Sequence, residues 1–159
     1  MLHARVQGVE LPEVLTHCID RAQHQWPGLS VRTNVARDAV VVRADPVYLD
    51  RVVTNLLDNA AKAALDGQSL GIEVEARRED DRVTVRIIDH GKGVPQGIRE
   101  QLFYPFYQVA ERHPRLGTGL GLAISKGFLN LMNGEIWIED TAGGGATLAF
   151  SLPAGPDTP

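Results

Sequence analysis

Asn55, Asn59 and Lys62 fall at i, i+4 and i+7 and so share one helical face, apart from the apolar stripe of Leu49, Val52, Val53, Leu56, Ala60 and Ala64. Asn is a weak helix former, and two of them in mid-helix cost roughly a few tenths of a kcal/mol each relative to Ala. A use that repays this is metal ligation: carboxamide oxygens bind Mg²⁺ without adding negative charge, which suits a site where a triphosphate brings the anionic ligands. Taken alone, the same face is equally that of a solvated helix. Asp89 stands where the strand pattern Val83, Val85, Ile87 gives out, and His90-Gly91-Lys92-Gly93 follow at once. A carboxylate at a strand end can accept a hydrogen bond from an exocyclic amine such as that of adenine, while glycines leave room for a flat ring. An ordinary turn closed by Asp and Gly has the same sequence. Gly117-Thr118-Gly119-Leu120-Gly121-Leu122 opens a helix, so unpaired N–H groups and the positive end of the helix dipole face a glycine loop. That is an anion site, unless it is only a linker before a core helix. Two other phosphate motifs are excluded. G-x-G-x-x-G would need glycine where Leu122 stands, and a Walker sequence ending in Gly91-Lys92 would need one where Arg86 stands.

The elements that must position these residues follow from local pattern. Leu11, Val14, Leu15, Cys18, Ile19 and Ala22 predict a helix after Pro12 that Pro27-Gly28 ends. Val31 to Val35 and Val40 to Val42 read as short strands with a polar turn between them. Asp45-Pro46 predicts a helix start, because Asp caps free N–H groups and Pro has the right backbone angle for a first turn; the helix runs to about Leu65. Ile72 to Arg78 and Arg82 to Asp89 alternate around the acidic turn Glu79-Asp80-Asp81 and predict an antiparallel hairpin. Ile136 to Ile138 and Ala146 to Leu152, flanking Gly143-Gly144-Gly145, predict another, and the helix before it spans about Gly119 to Met132.

With 159 residues, 43% of them hydrophobic, the chain reads as one domain over 1–159, with a core over about 11–153 and a frayed tail at 154–159. No stretch approaches the roughly 18 to 20 uninterrupted apolar residues of a membrane helix, and MLHARVQGVE lacks the apolar centre of a signal peptide. The expectation is a soluble piece with no membrane contact. A net charge of -4 without a dense Lys/Arg run argues against nucleic acid as a partner. Cys18 alone excludes an internal disulfide and a Cys-based zinc cluster, and is compatible with a cytoplasmic location. His3, His17, His24, His90 and His113 have no metal-ligand spacing and read as bystanders.

The order of these features is more specific than any one of them. Asn55-x-x-x-Asn59-Ala60-x-Lys62, Asp89-x-Gly91-x-Gly93, Phe103-x-x-Phe106, Gly117 to Leu122 and Gly143-Gly144-Gly145-Ala146-Thr147, in sequence, resemble the ATP-binding domain of sensor histidine kinases. The superfamily also holds gyrase, Hsp90 and MutL, and the resemblance runs from about Leu11 to Pro153. From Lys126-Gly127-Phe128 to Pro153 the chain is also similar to potassium-sensor kinases of the KdpD type. The resemblance implies a two-layer α/β sandwich, the Bergerat fold, with a mixed, mostly antiparallel sheet and helices on one face. It implies ATP and Mg²⁺ as cofactors. By position, Asn59 would ligate Mg²⁺, Asn55 would support metal and phosphates, and Lys62 would reach the phosphates. Asp89 would bind the adenine amine, Gly91 and Gly93 would make way for the base, and the turn from Gly117 through Thr118, Gly119 and Leu120 to Gly121 and Leu122 would wrap the triphosphate. Phe103 and Phe106 would pack beside a lid at Gln108 to Leu116 whose Arg112 and Arg115 meet the phosphates; Thr147 completes the nucleotide set. Ala63, His90 and Gln108 stand where the family often has an aromatic or His, an Asn and an Arg, which implies nucleotide affinity at the weak end for the family.

Hydrolases of the superfamily activate water with a Glu one turn before the metal-binding Asn; here that position is Asn55, which cannot take a proton near neutral pH. Transfer to a histidine ring needs no such base, because a neutral imidazole nitrogen carries its own lone pair. The five histidines are followed by Ala, Cys, Gln, Gly and Pro, unlike the family's acceptor segment of His, an acidic residue and, shortly after, Pro. The expectation is therefore a kinase domain whose acceptor histidine lies on a separate dimerisation helix hairpin, of the same or a partner chain. A response regulator acts downstream, a membrane-anchored sensor stands upstream, and this piece alone is monomeric. A serine-directing kinase of the anti-sigma type and a non-catalytic ATP-binding module are the alternatives.

Overall fold

The computed structural model describes residues 3–66, 71–105 and 120–156. Its main layer is a five-stranded sheet in the order β2-β4-β5-β7-β6, formed by β2 (Ser30–Val35), β4 (Gly71–Glu79), β5 (Arg82–Ile88), β6 (Glu135–Asp140) and β7 (Ala146–Pro153). Only the β2–β4 pair is parallel. The expected hairpins are both present: β4 pairs with β5 through Glu79↔Arg82, and β6 pairs with β7 through Asp140↔Ala146. The second turn depends on its glycines, since Gly143, Gly144 and Gly145 have φ of 85°, 112° and 111°.

Side-chain alternation along the paired strands gives the sheet two unlike faces. Ile72, Val74, Ala76, Val83, Val85, Ile87, Leu148, Phe150 and Leu152 point to one face and are buried. On that face lie α1 (Leu11–Gln25), α2 (Pro46–Asp66) and α3 (Gly121–Leu131), with α2 in the middle, packed against both other helices. The opposite face is polar. There Arg86 on β5, Ala149 on β7 and Trp137 on β6 stand in one register row, and Arg86 reaches past Ala149 to Glu139 on β6. The architecture is the two-layer α/β sandwich that the resemblance implied.

Local chemistry explains the helix bounds. Asp45 Oδ1 accepts from the N–H groups of Val47 (2.9 Å) and Tyr48 (3.3 Å), with Pro46 opening the helix, so α2 starts where the sequence predicts. The Asp45 Oδ2 also accepts from Arg5 N at 2.8 Å, which ties the incoming chain to the head of α2. In α1, Leu11, Leu15, Cys18 and Ala22 are buried, and Gly28 turns the chain at φ 89°.

The two short strands around the polar turn are both present, in different sheets. β2 lies at the edge of the main sheet beside β4, whereas β3 (Val41–Ala44) pairs with β1 (Gln7–Glu10) in a separate antiparallel ribbon. β1 escapes sequence reading because only Val9 of its residues is buried, so it shows no apolar alternation. Beyond β7, Ala154 and Gly155 are bonded to the rest of the fold. Ala154 donates to Asp81 O (2.8 Å) and bridges to Val42, and Gly155 donates to Val41 O (2.8 Å).

Candidate functional site

α2 is the spine of the site. Near its middle, Asn55 donates through Nδ2 to the carbonyl oxygen of Gly121 and to Ser125 Oγ, both at 3.3 Å, which fixes the first turn of α3 against α2. Two turns on, the loop after β5 presses on the same helix: a methyl group on Gly91 would come within 2.6 Å of the Ala63 carbonyl oxygen. These contacts, at residues 55 and 63, are separated by about 12 Å along the helix axis at about 1.5 Å per residue. Asn59 and Lys62 lie between them on the chain.

Asp89 is only 1% exposed and is held by backbone donors. Its Oδ1 accepts from Gly91 N at 3.0 Å and from Ala146 N at 3.2 Å, and its own N–H donates to Ala146 O at 3.0 Å. One oxygen anchored by two N–H groups sets the orientation of the whole carboxylate. The β6–β7 turn helps. A methyl group on Gly145 would overlap the Asp89 carbonyl oxygen and stand 2.8 Å from His90 Cα. Gly93, at φ 79°, faces the Gly145 carbonyl, 3.1 Å from where its own Cβ would be. The missing side chains of Gly91 and Gly93 are therefore replaced by protein backbone; they let the loop close on α2 and on the β6–β7 turn.

Lys62 Nζ lies 3.3 Å from Asp58 Oδ2, and Trp26 Nε1 donates to Asp58 Oδ1 at 3.1 Å, so the lysine expected to reach phosphates is held within its own helix by a half-buried ion pair. Phe103 is buried, with Lys126 Nζ 5.8 Å from its ring centroid. Leu120 immediately precedes α3, and Leu122 is a core residue whose side chain faces inward, leaving its backbone to the helix start. Thr147 is on the polar face of the sheet, away from the helices. Its hydroxyl is 3.0 Å from that of Thr141, and it adjoins the site through its neighbour Ala146. Phe106, Arg112, Arg115, Gly117, Thr118 and Gly119, and with them the lid at Gln108 to Leu116, lie outside the described residues.

Sequence reading passed over Asp58, Ser125 and Ala146. For Ser125 a signal existed: it sits among Leu122 and Leu129 on the buried side of α3, where a hydroxyl needs a partner. Ala146 contributes a backbone N–H that no side-chain pattern reveals. His90, read as a bystander, has Nε2 3.1 Å from Glu73 Oε1 beside the polar face.

Among the described residues no group of three or more His, Cys, Asp or Glu could hold a metal ion. The carboxamides of α2 do suit Mg²⁺ whose charge is matched by phosphate oxygens. Burial pushes the Cys18 thiol pKa up, which favours the protonated thiol over the thiolate.

Comparison with known proteins agrees with this geometry. Residues 44–156 match the family described as histidine kinase-, DNA gyrase B-, and HSP90-like ATPase. The sensor protein KdpD of Mycobacterium tuberculosis (strain ATCC 25618 / H37Rv) is 41% identical over 128 residues, 80% of this chain and 14% of KdpD. The sensor protein KdpD of Rathayibacter rathayi is 42% identical over 153 residues, 96% of this chain and 17% of that protein. The KdpD likeness therefore extends well before Lys126, and the chain spans under a fifth of these curated relatives. The mycobacterial sensor histidine kinase MprB superposes with a TM-score of 0.81 at 26% identity, over 95% of this chain and 99% of the MprB chain.

Proposed function

The chain belongs to the histidine kinase-, DNA gyrase B-, and HSP90-like ATPase family, and we propose that it binds Mg-ATP and transfers the γ-phosphoryl group to a histidine on a separate phosphoacceptor helix hairpin. The observation that carries this reading is the convergence on one helix: α3 meets α2 at Asn55, and the Asp89 loop meets it at Ala63. A nucleotide laid along α2 would place its base by Asp89 and its phosphates by the start of α3.

In this reading Asp89 accepts the adenine amine, with its orientation preset by Gly91 N and Ala146 N. Asn59 would hold the metal with support from Asn55. When bound, Mg²⁺ neutralises phosphate charge and fixes phosphate geometry. Lys62 would leave Asp58 for the phosphates, exchanging one anionic partner for another while Asp58 keeps the Trp26 Nε1 donor. Asn55 lacks the basicity to activate water, and its amide N–H groups point at α3, which favours transfer to an acceptor bringing its own lone pair.

By the same reading the partners are the acceptor hairpin and a downstream response regulator, the setting is cytoplasmic, and the isolated chain is monomeric. No described helix is long and apolar enough to cross a membrane. The test is transfer itself. With γ-labelled ATP, Mg²⁺ and a purified acceptor hairpin of a KdpD-type kinase, the label should appear on the hairpin as acid-labile, alkali-stable phosphohistidine. Acid-stable label, or none on the hairpin, contradicts the proposal.

A further inference from the structure

Ser125 is fully buried on a helix face otherwise made by Leu122 and Leu129. Alanine would fill that position with better helix propensity and no hydroxyl to desolvate, so a serine there needs a task. Its Oγ lies 3.3 Å from Asn55 Nδ2, and the Gly121 carbonyl oxygen lies at the same distance from the same nitrogen. A carbonyl oxygen can only accept, so the arm of the Asn55 carboxamide facing Gly121 must be the NH₂. The carboxamide is planar with its oxygen on the other arm, which is thereby turned away from Gly121 and Ser125.

We infer that Ser125 is a positioning residue for nucleotide binding: with the Gly121 carbonyl it holds the Asn55 carboxamide so that Oδ1, the only ligating atom of that side chain, is presented away from α3. This rests on the Mg-nucleotide reading above and deepens it. Without the hydroxyl, one of the two amide protons loses its acceptor, and the carboxamide can rotate about its last bond. Because Gly121 opens α3, the same contact also sets the start of that helix against α2.

The test is a double-mutant cycle on the full chain, read by calorimetric titration with ADP, once with MgCl₂ and once with EDTA. Ser125→Ala should leave ADP affinity in EDTA and the melting temperature close to those of the unsubstituted chain. It should reduce the factor by which Mg²⁺ tightens ADP binding by about fivefold, the worth of one neutral hydrogen bond. Asn55→Ala should reduce that factor at least as far, and the double variant should be no worse than Asn55→Ala alone, because the serine acts only through the asparagine. A Mg²⁺ factor unchanged in Ser125→Ala, or losses that multiply in the double variant, overturns the inference while leaving nucleotide binding in place. If the unsubstituted chain shows no Mg²⁺-dependent ADP binding, the functional reading fails and takes this inference with it.

Discussion

Asp89 and Asn59 impose opposite electrostatic demands, and each can be tested by exchanging one oxygen for one nitrogen or the reverse. In Asp89→Asn the amide oxygen must stay on the Gly91 and Ala146 N–H groups, since an NH₂ there would set donor against donor. The other arm then becomes a donor where the adenine amine needs an acceptor. ATP affinity should fall by about tenfold or more, the usual consequence of an unmet buried polar group, with the fold retained. If Asn59 holds the metal as proposed, Asn59→Asp puts a new charge beside the phosphates, and Mg-ATP affinity should fall by about tenfold; unchanged titrations for both variants would refute these roles. These residues stood out in the sequence through the order of the motifs and not through any one spacing, since Asp-Gly turns and polar helix faces are common taken singly. Their supports did not. Ala146 acts through its backbone, and Asp58 and Ser125 gain meaning only from partners far along the chain, Trp26 at 32 positions' distance and Asn55 at 70.

Among the elements, the β6–β7 turn packs on the Asp89 loop although its strands belong to the scaffold. Gly144 and Gly145 have nearly the same φ, yet only Gly145 packs on Asp89. Gly144→Ala should cost about 1 kcal/mol in backbone strain and leave ATP binding unchanged. Gly145→Ala adds a steric overlap with Asp89, and should lower both thermal stability and ATP affinity. Equal affinities in the two variants would show that the turn is only a connector. On the polar face, Arg86 donates to both oxygens of Glu139 at 2.9 and 3.2 Å, tying β5 to β6 across β7. These bonds, aided by Trp137 Nε1 at 2.8 Å, hold the Glu139 carboxyl below the usual carboxylate range. A group that titrates lower when folded contributes stability at neutral pH that is lost as pH falls. Between pH about 5 and pH about 3 the melting temperature of the unsubstituted chain should therefore drop more than that of Glu139→Gln. Parallel pH profiles would contradict this. Helices and hairpins were readable from capping and alternation, whereas the pairing of β1 with β3 was not, since no local pattern says which sheet a short strand joins.

For the molecule as a whole, a sheet that is apolar on one face only seats a helix layer whose central member bears the residues to which the proposed function gives the chemistry. The core residues of α2, Leu49, Val52, Val53, Leu56, Leu57 and Ala60, are all fully buried. That rigid seat fixes the direction in which the neighbouring face presents Asn55, Asn59 and Lys62. The order of motifs along the chain made the architecture legible, because five spaced features must satisfy one fold at once. The proposed function requires a nucleotide that spans the Asp89 loop and the start of α3. Calorimetric titration of the chain with ATP in the presence of Mg²⁺ tests this most directly. The prediction is a saturable one-to-one heat that weakens on chelation of the metal and is largely lost in Asp89→Asn. No heat of binding, or the same isotherm from the chain and from Asp89→Asn, would contradict it.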